Sequence, residues 1–252
     1  MLLAIDIGNS ATKFGVFDGQ NLISRFAMPT VRADTADGIN AQIENNCAER
    51  FSAVVVSSVV PELRDAYRIF GEKFYNLSTF FVENDFDFGL KIKYDAPESL
   101  GVDRLIAAFA AVEKYGKPCI VCDFGTATTI DAVNSGGEFL GGVIVAGMKL
   151  LTDALFRKTS KLPFVEIIKP AKVIGDSTVR AIQSGTYFGY VGLADGIIKR
   201  MTAELGEPPH VIATGGFAEI IRENSEYIQT VDENLMLEGL RLINEKRLAA
   251  KS

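Results

Sequence analysis

A short pattern of residues occurs twice, about half a chain apart, and it restricts the fold more than any other feature. The first copy is Asp6-Ile7-Gly8-Asn9-Ser10-Ala11-Thr12, and the second begins at Asp123 and reads Asp123-Phe124-Gly125-Thr126-Ala127-Thr128-Thr129. In each copy an aspartate ends an apolar run, a glycine leads into hydroxyl residues, and a second strand pattern follows. Duplication into two similar domains is the simplest explanation for such a repeat in a chain of 252 residues.

Strand and helix patterns alternate in both halves. The first half contains strand patterns near 2–6, 12–17, 21–28, 53–57 and 78–82, with helical patterns over 36–50, from Pro61, and over 99–115. The second half contains strands across 118–146 and at 210–213, with helices near 147–157, 178–204, from 216 and over 233–248. This layout predicts a mixed α/β fold with domains at 1–115 and 116–252.

Composition excludes several classes of protein. The net charge of −6 and the lack of a dense Lys/Arg run argue against a nucleic-acid partner. The longest apolar stretches, such as Ser52–Pro61 and Leu105–Val112, are shorter than the roughly 18 residues of a membrane span. Only five residues precede Asp6 and none is basic, so we expect no signal peptide and a cytoplasmic protein.

Cysteine and histidine offer little chemistry here. Cys119 and Cys122 have the C-x-x-C spacing of metal and redox sites, but on the predicted strand they point to opposite faces, which favours core cysteines. The single histidine, His210, opens a short strand, which disfavours Ser-His-Asp and Cys-His mechanisms. Acid–base chemistry is therefore expected from carboxylates.

A strand that ends in Asp and enters a glycine turn is suited to phosphate. Backbone N–H groups of the turn can hold phosphate oxygens, and Gly8 permits a close approach. Asp6 can hold Mg²⁺ through water, and Lys13 can place a cation near the β- and γ-phosphates, with further donors from Asn9, Ser10 and Thr12. The alternative is an ordinary hairpin with Asp and Asn as turn formers. Two copies in register favour a nucleotide cleft.

A third segment, Val211 to Gly216, is an apolar strand that enters a glycine pair before a helix. Such a loop lets a purine or ribose lie against the backbone, while the helix N-terminus favours anionic groups.

These motifs resemble those of the actin, sugar-kinase and heat-shock-chaperone superfamily. The finer pattern resembles type III pantothenate kinase, in family order from residue 2 to about 216; it comprises Tyr94, Gly101-Val102-Asp103-Arg104, Asp123 to Thr129, Ile174-Gly175-Asp176-Ser177-Thr178 and Gln183-Ser184-Gly185. The chain departs from the family at Ser10, where Thr is more frequent, and at Asp176-Ser177, where Asn or Lys is common.

The resemblance implies two duplicated ribonuclease H-like (actin-like ATPase) domains around a central nucleotide cleft. It implies ATP-dependent phosphorylation of pantothenate to 4'-phosphopantothenate, the first step of coenzyme A biosynthesis. The cofactors implied are ATP with Mg²⁺ and a monovalent cation, K⁺ or NH₄⁺.

The resemblance also assigns roles to residues. Asp103 is expected to be the catalytic base, although a carboxylate there can also serve only to cap a helix N-terminus. Arg104 can bind the substrate carboxylate through its planar fork, with a structural salt bridge as the alternative. ATP is expected at residues 6–13 and at Thr126, the monovalent cation at Asp123, and pantothenate at Tyr94, Gly101, Val102, Asp103, Arg104 and Thr178.

Four glycines interrupt a long helical pattern at positions 185, 189, 192 and 196. Each disfavours a helix by about 1 kcal/mol relative to Ala, which close approach of another helix can offset, unless the helix breaks there. The resemblance implies a homodimer formed through this region, with Thr178 reaching the partner's site. Alternatives for the whole chain are a catalytically silent regulatory relative, another kinase or phosphatase of the superfold, and an actin-like assembly protein.

Overall fold

The computed structural model describes residues 1–250. Its strands are β1 (Leu2–Ile7), β2 (Ala11–Asp18), β3 (Asn21–Pro29), β4 (Ala53–Ser58), β5 (Phe80–Phe81), β6 (Lys91–Ile92), β7 (Cys119–Phe124), β8 (Ala127–Val133), β9 (Glu138–Ala146), β10 (His210–Thr214) and β11 (Thr230–Val231). Its α-helices are α1 (Ala36–Asn46), α2 (Arg64–Tyr75), α3 (Val102–Tyr115), α4 (Met148–Lys158), α5 (Thr178–Leu205), α6 (Ala218–Arg222) and α7 (Leu235–Ala249).

The chain forms two compact units. The first contains residues 1–89, 96–110 and the segment from 234 onward, and the second contains residues 90–95 and 111–233. The sheet of the first unit has the order β3-β2-β1-β4-β5, in which β1 is antiparallel to β2 and parallel to β4. Alternate residues of β1 and β4, such as Ile5 and Val56, are fully buried against α1 and α2, as a strand period of two dictates.

The second unit repeats this winding. Its sheet has the order β11-β10-β7-β8-β9-β6, in which β7 is antiparallel to β8 and parallel to β10. Strands β7 to β11 therefore take the places of β1 to β5, with β6 added at one edge. The prediction of a mixed α/β fold with two duplicated domains is confirmed; the cleft between them stays a prediction.

The units differ from the predicted division at 1–115 and 116–252, because residues 90–95 and 111–115 belong to the second unit and the last helix belongs to the first. Helix α7 packs on β1, β2 and β4 of the first unit, where Leu237, Leu240 and Ile243 are buried. Gly239 lets α7 approach α3 closely, because a Cβ at this position would lie 2.8 Å from the side chain of Ile106. Burial of its apolar residues on the first sheet explains why this helix returns to the first unit.

Helix α5 is continuous through its four glycines. The Ser177 hydroxyl caps its N-terminus by accepting from the Arg180 N–H at 3.3 Å, and Gly206 ends it in the left-handed conformation with φ of 71°. The predicted helix at 36–50 is shorter in the structure and ends at Asn46, and the helix predicted from 216 begins at Ala218. Among residues 1–250, no helix combines the length and apolarity needed to cross a membrane.

Candidate functional site

The first aspartate-led turn joins β1 to β2. Asp6 lies opposite Lys13 in the antiparallel register, so the predicted carboxylate and ammonium share one face of the sheet. Both residues are half-buried, whereas Asn9 and Ser10 at the tip of the turn are exposed. The predicted phosphate ligands of residues 6–13 are thus grouped at one end of one hairpin.

The backbone of this turn is held by Thr30, a residue that sequence reasoning missed. Thr30 follows β3, and its N–H donates to the Ser10 carbonyl at 3.1 Å while its hydroxyl donates to the Gly8 carbonyl at 2.7 Å. The Thr12 hydroxyl lies 3.0 Å from the Thr30 hydroxyl, and the side chain of Thr12 also interacts with that of buried Tyr67 of α2. Thr12, predicted as a donor to nucleotide, is buried, and its hydroxyl faces Thr30 inside the unit.

Two further residues, Ser57 and Arg32, have polar side chains near this turn. Ser57 is in register with Asp6 on the neighbouring parallel strand, is fully buried, and its Oγ has no hydrogen-bond partner among residues 1–250. The Arg32 guanidinium donates to Asn9 Oδ1 at 3.2 Å and to Glu62 at 2.7 Å. The sequence feature that could have identified Ser57 is its position near the end of the apolar run of β4.

The second aspartate-led turn joins β7 to β8 and carries Asp123. The predicted third motif lies directly beside it: Gly215 has φ of +93°, and a Cβ there would be 2.5 Å from Asp123 Oδ1 and 2.7 Å from the backbone of Phe124. A side chain at this position would therefore displace the turn. The Thr214–Gly216 loop therefore lies directly against the Asp123 turn.

Asp103 lies in the first turn of α3. Its Oδ1 accepts from the Arg104 N–H at 2.9 Å. Burial raises the pKa of the Asp103 carboxyl, an effect that this hydrogen bond and the Arg104 charge partly oppose. Gly101 lies directly beside it, because a Cβ at this position would lie 2.4 Å from Asp103 Oδ1, so a side chain there would displace the carboxylate. A half-buried carboxyl with a raised pKa is suited to accept a proton.

The predicted pantothenate residues fall in both units. Gly101, Val102, Asp103 and Arg104 adjoin one another in the first unit, where Val102 and Arg104 are buried. In the second unit the ring of Tyr94 lies against Gly141 of β9, and Thr178 is exposed as the first residue of α5. The assembly of these residues into one pocket stays a prediction.

The prediction of core cysteines is confirmed, whereas the structural role of His210 stays a prediction. Cys119 and Cys122 are buried on β7, and burial raises the pKa of the Cys119 thiol to about 12. Cys122 belongs to the core beneath α5, and Cys119 lies on the other face of the strand. His210 opens β10 with Nε2 2.8 Å from the Thr230 hydroxyl.

Comparison with known proteins gives a consistent result. Residues 2–200 match the family model described as type III pantothenate kinase. The chain is 41% identical to the type III pantothenate kinase of Koribacter versatilis over 98% of its own length and 96% of the relative's.

Two solved structures share the fold. A Campylobacter jejuni protein described as a Baf family transcriptional activator has a TM-score of 0.63 at 19% identity, covering 98% of this chain and 99% of that one. A Listeria monocytogenes protein described as an N-acetylmannosamine kinase has a TM-score of 0.54 at 15% identity, with the same coverage.

Proposed function

The chain belongs to the type III pantothenate kinase family, and from that premise we propose that it transfers the γ-phosphoryl group of ATP to pantothenate, giving 4'-phosphopantothenate. This is the first step of coenzyme A biosynthesis. The observation that carries the proposal is Asp103, because a half-buried carboxyl with a raised pKa at the family's base position supports catalysis. It also disfavours the alternative of a catalytically silent regulatory relative.

Phosphoryl transfer requires a base for the substrate hydroxyl and charge stabilisation around the phosphates. Asp103 receives the proton of the pantothenate primary hydroxyl as that oxygen attacks the γ-phosphorus of ATP, and the bond from the γ-phosphorus to the β,γ-bridging oxygen breaks so that ADP leaves. The N–H groups of the β1–β2 turn and the Lys13 ammonium hold the phosphate oxygens. Thr126, in the second turn, contacts the nucleotide, and the Thr214–Gly216 loop receives adenosine.

The residues near Asp6 fit a hydrated Mg²⁺. The ion prefers oxygen ligands and keeps much of its water shell, and the Asp6 carboxylate and buried Ser57 hydroxyl supply oxygens in register on adjacent strands. When bound, Mg²⁺ neutralises developing charge on the β- and γ-phosphates.

The second turn fits a monovalent cation, K⁺ or NH₄⁺. Asp123 supplies a carboxylate, and the carbonyl oxygens of Gly125 and Thr126 point together toward Gly147, where a Cβ would lie 2.4 Å from each. Carboxylate and carbonyl oxygens are ligands that hard cations accept.

The family resemblance supports a role in pantothenate binding for Tyr94, Gly101, Val102, Asp103 and Arg104. Arg104 would bind the substrate carboxylate through its fork. Thr178 would contribute from the partner subunit.

A homodimer is supported by the surface of α5. At Gly185, Gly189 and Gly192 an added Cβ would meet no atom within 4 Å among the described residues, so packing inside this chain does not explain these glycines. Apolar side chains near the start of α5, at Val173, Ile174 and Val179, are exposed. We expect analytical ultracentrifugation at micromolar concentration to show a dimer, and Gly189→Leu to shift it to monomer. A monomeric wild-type chain would contradict the dimer.

A coupled ADP-release assay tests the activity. We expect ADP release from Mg-ATP to require pantothenate and to increase when K⁺ or NH₄⁺ replaces Na⁺. ADP release that ignores pantothenate would reject this substrate. Nucleotide binding without turnover, for any monovalent cation, would instead support the regulatory alternative.

Asp103→Asn tests the base. We expect a loss of turnover of about 10²-fold or more, with the Kd for a non-hydrolysable Mg-ATP analogue within about threefold of wild type. In wild type, kcat/KM should fall as pH decreases through the raised Asp103 pKa, because protonated Asp103 cannot accept the proton. Full activity of the variant would remove the assignment.

The same variant has a stability consequence of opposite sign. Because the Asp103 pKa is raised by folding, ionised Asp103 destabilises the native state at pH above that pKa. Asp103→Asn should therefore have a higher Tm at pH 7, and the difference should disappear as pH falls below the unfolded value of about 3.9.

A further inference from the structure

Thr30 makes two hydrogen bonds to one turn. Its N–H donates to the Ser10 carbonyl at 3.1 Å, and its hydroxyl donates to the Gly8 carbonyl at 2.7 Å. The two acceptors belong to different peptide groups, Gly8–Asn9 and Ser10–Ala11, which are separated by the Asn9–Ser10 peptide. A single residue, distant in sequence, therefore fixes the orientation of two peptide planes at the tip of the hairpin.

The orientation of these planes determines where their N–H groups point. In a trans peptide the C=O and the following N–H point in opposite directions. Since the Gly8 and Ser10 carbonyls face Thr30, the N–H groups of Asn9 and Ala11 face away from it. The Gly8 N–H is directed elsewhere, to the Ala11 carbonyl at 3.1 Å.

Thr30 is itself anchored. The Thr12 hydroxyl lies 3.0 Å from the Thr30 hydroxyl, and the buried side chain of Thr12 interacts with that of Tyr67, which is buried on α2. These contacts connect the turn to the core of the first unit. A turn held in this way presents its N–H groups without losing conformational entropy when an anion binds.

We propose that Thr30 is a positioning residue for nucleotide binding: it holds the β1–β2 turn so that the Asn9 and Ala11 N–H groups face the phosphates. The inference rests on the proposed function only in taking a nucleotide as the ligand of this turn. Thr30 does not touch the phosphates; it acts through the peptide groups that do.

The test compares Thr30→Val, which removes the hydroxyl at nearly constant volume, with Thr30→Ser, which retains it. Thr79→Val is the matched control, since the Thr79 hydroxyl also donates to a backbone carbonyl of the first unit, that of Tyr67, at 3.0 Å. The measurements are the Kd of Mg-AMPPNP by calorimetry, the KM values for ATP and pantothenate, and Tm.

We expect Thr30→Val to weaken Mg-AMPPNP binding about tenfold, the equivalent of about 1.4 kcal/mol, and to raise KM for ATP similarly while KM for pantothenate changes less than twofold. Thr30→Ser and Thr79→Val should bind within twofold of wild type. If Val prevents folding, Thr30→Ala and Thr30→Ser differ by the hydroxyl alone, and the same tenfold difference is expected between them.

Binding within twofold of wild type in Thr30→Val would overturn the inference. So would equal weakening in Thr79→Val, because the effect would then follow general stability. If wild type binds Mg-AMPPNP but does not phosphorylate pantothenate, the proposed function fails and the comparison of affinities still decides the role of Thr30.

Discussion

The residue that follows β3 in the first unit is Thr30, and the residue that follows β9 in the second is Gly147. Their backbone roles match: Thr30 N–H donates to Ser10 at 3.1 Å, and Gly147 N–H donates to Thr126 at 3.0 Å. Their side-chain environments do not. Thr30 has room for a hydroxyl that reaches the turn, whereas a Cβ at Gly147 would lie 2.4 Å from two carbonyl oxygens. Duplicated turns can thus be supported by an added contact or by closer backbone approach.

The first threonine in the second strand of each hairpin shows the opposite relation. Both threonines contact a tyrosine, but the two tyrosines come from different helices. Thr12 in β2 and Thr128 in β8 are both buried, and each interacts with a tyrosine side chain: Thr128 hydrogen-bonds to the Tyr190 hydroxyl, and Thr12 interacts with Tyr67. Tyr67 comes from α2, which lies between β4 and β5, whereas Tyr190 comes from α5, which lies between β9 and β10. A buried hydroxyl requires a partner, but helices in different topological positions can supply it.

The largest effect is expected where the second turn has no space. Gly147→Ala would place Cβ against the carbonyl oxygens of Gly125 and Thr126, so the backbone must move. We expect a loss of about 3 kcal/mol in the free energy of unfolding, measured in guanidinium. Gly216→Ala, where a Cβ meets nothing within 4 Å among the described residues, should change it by less than about 0.5 kcal/mol. Equal effects of the two would refute the steric account.

The two tyrosines should differ in a measurable way. The Tyr190 hydroxyl lies 2.6 Å from Thr128 Oγ1 and 3.0 Å from the Ala146 carbonyl, so Tyr190→Phe leaves two groups without that partner. Tyr67→Phe leaves Thr12, which keeps Thr30 at 3.0 Å. We expect losses of about 2 and about 1 kcal/mol in unfolding free energy.

A double-mutant cycle with Thr128→Val should return a coupling energy for the Tyr190 pair. A Tyr67→Phe variant that loses more stability than Tyr190→Phe would reverse the proposed order.

The sequence was sufficient to predict the strands of both hairpins, but not the contacts that support the two turns. Apolar runs ending in Asp6 and Asp123 predicted both hairpins, because strand burial is a local pattern. When the two seven-residue motifs are aligned without a gap, Thr12 corresponds to Thr129. The strand register instead makes Thr128 the equivalent of Thr12, because Thr12 pairs with Ile7 and Thr128 pairs with Phe124. The second turn is therefore one residue shorter, which an alignment of similar letters does not reveal.

The supporting contacts were not predictable in the same way. Thr30 and Tyr67 come close to the first hairpin only because β3 and α2 pack beside it. The residues next to Thr30 and Tyr67 in the sequence do not indicate this packing. The apolar residues of α7 predicted a helix correctly, but its pattern does not state which sheet it covers. Packing between residues distant in sequence determines both the contacts that support the first turn and the sheet that α7 covers.

The smallest expected effect concerns the strand beside each aspartate, where Ser57 adjoins Asp6 and Thr214 adjoins Asp123. The Ser57 hydroxyl is buried with no hydrogen-bond partner among residues 1–250, a state that destabilises a fold. Ser57→Ala should therefore leave the free energy of unfolding unchanged or raise it by up to about 1 kcal/mol without Mg²⁺.

The same substitution should weaken Mg-AMPPNP binding about threefold, the equivalent of about 0.65 kcal/mol, if the hydroxyl orders the water around Mg²⁺. Denaturant unfolding and calorimetry measure the two quantities separately, and they should move in opposite directions. A loss of more than 1 kcal/mol in the free energy of unfolding would show that Ser57 has an internal partner, and that its place next to Asp6 serves the core and not the metal.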